Sequence, residues 1–146
     1  MRKTLISAAF VSGAAMVATQ LLAQDNSGRR FTVALEGEQE VGARGGDLDG
    51  TGTATLRINP GQGQLCYTIR TSGIAPATAA HIHEAPAGTN GGVVVPLNAP
   101  TKGTSSGCAT VSRELALEII RDPADYYVNV HNAEFPGGAL RGQLDR

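Results

Sequence analysis

The sequence predicts an all-β protein: an antiparallel Greek-key sandwich or barrel of about eight strands with one short helix. Three observations carry this. Apolar residues alternate with polar ones through most of the chain after residue 30, which is the period of a strand with one buried face. The alternating runs are short and separated by Gly, Pro, Asn and Asp, the residues that turn chains. Only one stretch repeats its apolar residues at helical spacing.

In order, Phe31, Val33 and Leu35 share the inner face of a first strand, and Ala54, Leu56 and Ile58 that of a second. Leu65, Tyr67 and Ile69 do the same in a third. Further strands are expected at Ala80–His83, Val93–Leu97, Cys108–Ser112, Tyr126–His131 and Ala139–Leu144. One apolar face per strand fits antiparallel pairing over a single core. The exception runs from Ser112 to about Arg121, where Leu115, Ile119 and Ile120 fall on one helical face. Ser112 can cap it, Glu114 suits its first turn, and Asp122-Pro123 stops it.

The first 23 residues read as a secretory signal peptide: Met1-Arg2-Lys3, an apolar run from Leu5 to about Val17, and a cut expected after Ala23. Ser7, Ser12 and Gly13 interrupt the run, which suits cleavage better than the ~20-residue apolar helix that spans a bilayer. Residues 24–30 read as a polar flexible leader, and 31–146 as one domain. The expected location is secreted or periplasmic, with no membrane span after cleavage.

Removing the signal takes away two of the twelve basic residues and no acid, leaving ten against thirteen. That mild negative balance argues against nucleic acid as a partner, since non-specific binding needs a clustered positive field. Two cysteines remain, Cys66 and Cys108. In an oxidising compartment such a pair reads as a disulfide. Both fall on outward positions of their strands, as a cross-strand bridge requires. Closing the 42-residue loop would stabilise the fold by about 4 kcal/mol. Free thiols or thiolate metal ligands are the alternative.

The candidate chemistry lies in three histidines, all that the chain contains. His81 and His83 are two apart, so on a strand both point to one side while Ile82 points to the other. Val128 and Val130 take the apolar phase of the later strand, leaving Tyr127, Asn129 and His131 opposite. If the two strands are neighbours, three imidazoles can converge on one cation. Imidazole suits copper, and to a lesser degree zinc. Chance spacing and solvated surface histidines are the plainer account of the same residues.

Around them, Glu84 and Glu134 could complete the coordination or fix an imidazole tautomer, although loop carboxylates are more often simply solvated. Asn129 shares the face of His131. Arg141 could lie near His131 and steer anions; a surface arginine paired with an acid such as Glu134 is the plainer expectation. The Gly45–Gly52 segment with Asp47 and Asp49 has the flavour of a calcium loop. It lacks the carboxylates such loops place at fixed spacing, so a local turn is expected. No nucleophile elbow, phosphate loop or paired-carboxylate cleft is present, and the chain does not look like a complete enzyme.

Two runs, Ala80–Leu97 with its HIHEAPAGTNGGVVVPL and Tyr126–Leu144 with its YYVNVHNAEFPGGALRGQL, resemble the chordin-type (CHRD) domain. The resemblance spans about Phe31 to Leu144. It implies an extracytoplasmic β-sandwich, as in repeated modules of extracellular signalling antagonists or single exported bacterial domains, and supplies no catalytic residues. A weaker similarity is to copper–zinc superoxide dismutase, whose copper-binding histidines and nearby arginine correspond by analogy to His81, His83, His131 and Arg141. The chain lacks the further histidines for the bridging and zinc positions, and it has no long zinc-binding loop. Three functions follow as expectations. The first is a copper-binding exported protein for metal handling or redox buffering. The second is a metal-free interaction module using loops 84–92 and 132–138 on an extracytoplasmic protein partner. The third is a small dismutase-like copper oxidoreductase.

Overall fold

The computed structural model describes residues 28–146. The expected signal peptide lies outside them. Among them eight strands and one helix follow in order: β1 (Arg29–Glu36), β2 (Thr51–Asn59), β3 (Gln64–Ser72), β4 (Ala77–Glu84), β5 (Gly92–Leu97), β6 (Thr104–Thr110), α1 (Arg113–Arg121), β7 (Tyr126–Asn132) and β8 (Leu140–Gln143), with short 3-10 turns at Gly37–Gln39 and Pro123–Asp125. β1 begins at Arg29, so it takes up the last two residues of the expected leader.

Every pairing is antiparallel, in the order β5-β4-β7-β8-β1-β2-β3-β6. The sheet curls so that its two ends approach, giving a nearly closed barrel with two halves, β5-β4-β7-β8 and β1-β2-β3-β6. At the seam the Asn98 amide donates to the Tyr67 hydroxyl at 2.8 Å and Asn98 Nδ2 to the Ser106 carbonyl at 3.4 Å. β7 returns through α1 to lie beside β4, the Greek-key connection. The inward residues read from alternation form the core: Leu35, Leu56, Ile58, Leu65, Ile69, Val128 and their neighbours are buried.

The helix is capped as expected, with the Ser112 hydroxyl accepting from the Leu115 amide at 3.1 Å. Its inward side is carried by Ala116 and Ile119, while Leu115 and Ile120 pack at the margin. The strand expected at Cys108–Ser112 is displaced: β6 occupies Thr104–Thr110, and Val111 and Ser112 already belong to the approach to α1. Its Thr-Ser-Ser-Gly start has no apolar alternation, and β6 is held by its ladder to β3. That ladder sets Cys66 opposite Cys108, and the two are joined by a disulfide. The expected local turn in the 45–52 segment lies at Asp47–Gly50, where the Asp49 amide donates to Asp47 Oδ1 at 3.3 Å and the Gly50 amide to the Asp47 carbonyl at 3.1 Å; Thr51 and Gly52 already belong to β2.

Candidate metal centre

β4 and β7 are direct neighbours, with Ala79 opposite His131, His81 opposite Asn129 and His83 opposite Tyr127. Ala80, Ile82, Val128 and Val130 fill the core side, so the three imidazoles leave the other face together. One ring nitrogen from each of His81, His83 and His131 lies within 4.8 Å of the other two, and theirs is the one such group of metal-binding side chains among the described residues.

Neighbouring carbonyls orient two rings. His131 Nδ1 lies 3.0 Å from the Pro136 carbonyl, and His83 Nδ1 lies 3.0 Å from the Gly91 carbonyl. A carbonyl only accepts, so in both rings Nδ1 carries the proton and Nε2 the lone pair. His131 Nε2 accepts from His81 Nδ1 at 3.2 Å. His83 Nε2 is buried without any hydrogen-bond partner. Leaving such an acceptor unsatisfied costs about 1–3 kcal/mol, and a cation would satisfy it. Two nitrogens on one ion at the usual ~2.1 Å are at most about 4.2 Å apart. Three nitrogens spread evenly around one ion lie about 3.6 Å apart, so the widest pair would close by up to about 1.2 Å. Burial, then the mutual repulsion of the rings, lowers the pKa of His81; burial chiefly lowers that of His131 despite the Pro136 bond. Both imidazoles are thus neutral, the ligating form, near pH 7.

The site extends to Tyr127 and Gly91, whose roles the sequence does not show, and to Arg141. Tyr127 stacks on His83 with ring centroids 4.8 Å apart and planes 7° from parallel. The Arg141 guanidinium, from the strand on the other side of β7, lies 3.5 Å from the Tyr127 ring centroid. The Gly91 amide donates to the Tyr127 hydroxyl at 3.2 Å, so one peptide segment positions both stacked rings. Only glycine fits there: a Cβ on Gly91 would overlap the Glu84 carbonyl oxygen.

Arg141 corrects the expectation of a surface arginine paired with Glu134. It is 1% exposed and donates to the Pro86 carbonyl at 3.2 Å, Gln143 Oε1 at 3.2 Å and Asn90 Oδ1 at 3.4 Å. Loop 85–91 and the 37–47 segment fold over the outward face of β7 and β8 and enclose it. Asn129, also buried, donates to Glu40 Oε1 and to the Leu140 carbonyl. Burial raises the Glu40 carboxyl to about 7, against the opposing pull of Arg141, Asn129 and the Val41 backbone. Glu40 rests against Gly138, whose φ of 145° favours glycine and whose missing Cβ leaves the carboxyl its room. Glu84 and Glu134 are both exposed, and no hydrogen bond joins either to a histidine among the described residues. Glu134 instead donates its backbone amide to Asn132 Oδ1.

A cleft of about 380 Å³ lies beside this layer, lined by Glu40, Arg44, Asn90, Phe135 and Pro136 among others. No described helix is long and apolar enough to cross a membrane. The model of the CHRD domain family matches residues 31–144. No curated protein and no solved structure matches the chain.

Proposed function

The chain belongs to the CHRD domain family, and from that premise we propose that it is an exported binding module that holds one copper ion through His81, His83 and His131, serving metal handling or redox buffering. The disulfide fits an oxidising compartment, which supports a secreted or periplasmic location. The observation that carries the reading is the lone pair of His83 Nε2, buried without a partner and facing two further imidazoles.

Copper is preferred to zinc on two grounds. An all-nitrogen set follows the Irving–Williams order, in which copper(II) exceeds zinc. No carboxylate belongs to the group. His81 binds through Nδ1 and the others through Nε2, with the cation replacing the proton that His81 shares with His131. The chain's own contribution is orientation: Gly91 and Pro136 fix two tautomers before any ion arrives, and Tyr127 covers one face of His83.

The test is titration of untagged, metal-free protein with Cu(II) and Cu(I). One equivalent should bind, and His81→Ala/His83→Ala should weaken binding by more than about a hundredfold. Unchanged binding in that variant would remove the reading and leave the interaction module based on loops 84–92 and 132–138.

A further inference from the structure

The charges around the imidazole cluster bear on which of the two copper ions it takes. Tyr127 is held between two strands. His83, directly opposite it on β4, stacks on its ring with centroids 4.8 Å apart. The Arg141 guanidinium reaches diagonally from β8, where Arg141 pairs with Asn129, and lies 3.5 Å from the centre of the same ring. A fixed positive charge therefore sits within about 8 Å of the His83 ring centre.

Little cancels that charge. Arginine stays protonated in proteins, and this one is 1% exposed. Its hydrogen-bond acceptors, the Pro86 carbonyl, Asn90 Oδ1 and Gln143 Oε1, are all neutral. The acid that opposes it is Glu40, whose carboxyl burial raises to about 7. Near neutral pH that acid is only partly ionised, so its offset is partial.

The three rings add no negative charge either, because no carboxylate belongs to the group. Cu(II) would place two positive charges near the buried guanidinium, and Cu(I) only one. Repulsion in a partly buried site therefore weighs more heavily on the cupric ion. Geometry acts in the same direction. Cu(II) favours a tetragonal set of donors, and three imidazoles from two neighbouring strands leave that set incomplete, with Glu84 and Glu134 both exposed.

Resting on the copper reading, we infer that the centre is a cuprous site, which binds Cu(I) in preference to Cu(II), and that Arg141 sets this preference by its charge. Arg141 touches neither the ion nor a ligand. It is a positioning residue that holds a charge against Tyr127 and so near the ion. One unit charge about 10 Å away, at an effective dielectric constant of about 20, changes the ratio of the two affinities by about tenfold. Tenfold in that one-electron ratio is about 59 mV in reduction potential.

The experiment measures both affinities on untagged, metal-free protein without oxygen, by competition with bicinchoninate for Cu(I) and nitrilotriacetate for Cu(II). The parent should bind Cu(I) more tightly than Cu(II). At about pH 6, where Glu40 is mostly protonated, Arg141→Gln should shift the ratio about tenfold toward Cu(II), and Arg141→Lys should keep it within about threefold. At about pH 8, where Glu40 is mostly ionised, Glu40→Gln should shift it about threefold the other way, toward Cu(I). Opposite shifts from two neighbouring variants do not arise from damage to the fold. If Arg141→Gln does not fold, Glu40→Gln decides. Cu(II) bound as tightly as Cu(I), or more so, overturns the inference and leaves the copper reading standing, whereas binding of neither ion overturns both. A folded Arg141→Gln variant with the parent ratio, or no shift in Glu40→Gln, overturns the role of Arg141.

Discussion

At the scale of single residues, the clustering of the three histidines was legible and the groups that orient them were not. His81, His83 and His131 share a strand phase that two alternating valines make plain. Their support comes from backbone atoms in loops, the Gly91 and Pro136 carbonyls, and a carbonyl leaves no trace in a sequence pattern. Gly91→Ala should lower copper affinity by about tenfold, because the added Cβ must displace the loop that orients His83 and Tyr127. The check is the same titration, with Tm reporting that the barrel persists. Glu40 escaped the sequence reading for a related reason, since its partners Asn129 and Arg141 lie about ninety to a hundred positions away. Its folded pKa of about 7 lies above the ordinary carboxyl value of 4.5. The stability it contributes is therefore complete below about pH 4.5 and lost as pH rises through 7. Glu40→Gln should flatten this part of the stability profile of the metal-free protein by about 1–2 kcal/mol, the half-buried carboxyl being partly screened by solvent. Urea melts across pH 4.5–8 measure it, and an unchanged profile would refute the assignment.

At the scale of elements, strands with a clean apolar phase fell where alternation places them, and β6 did not. Its Thr-Ser-Ser-Gly start carries no apolar phase, so its position comes from the partner strand, which local reading cannot supply. The disulfide was legible through the outward phase of both cysteines, and it fastens this weakly patterned edge strand to β3. Cys66→Ser/Cys108→Ser should cost about 2–4 kcal/mol of stability while leaving copper affinity within about twofold, because the bridge and the histidines lie on different halves of the barrel. Chemical denaturation and titration of the same sample test both parts. A large loss of copper binding would mean that the halves are more tightly coupled than their separate pairings imply.

For the molecule as a whole, alternation and turn chemistry sufficed for the fold class, whereas the enclosure of Arg141 did not follow from them. Parity states which side of a strand a residue takes and says nothing of whether a loop lies over that side. Here the 37–47 and 85–91 segments do, and an arginine that counts as outward on β8 ends up 1% exposed. The barrel consequently has one outward face roofed by loops, where the imidazoles meet, and another left open, where arginines and hydroxyls stand in rows.

The pairing of β4 with β7 brings together side chains 50 positions apart in the chain. An unfolded chain has His81 and His83 as neighbours, but the third ring joins them only after β5, β6 and α1 have been laid down and the Greek-key return has closed. The loop-closure entropy is lost before the three rings meet. On the proposed copper reading, capture of the ion would be a late event in folding, and the ion would lock the finished barrel rather than seed it.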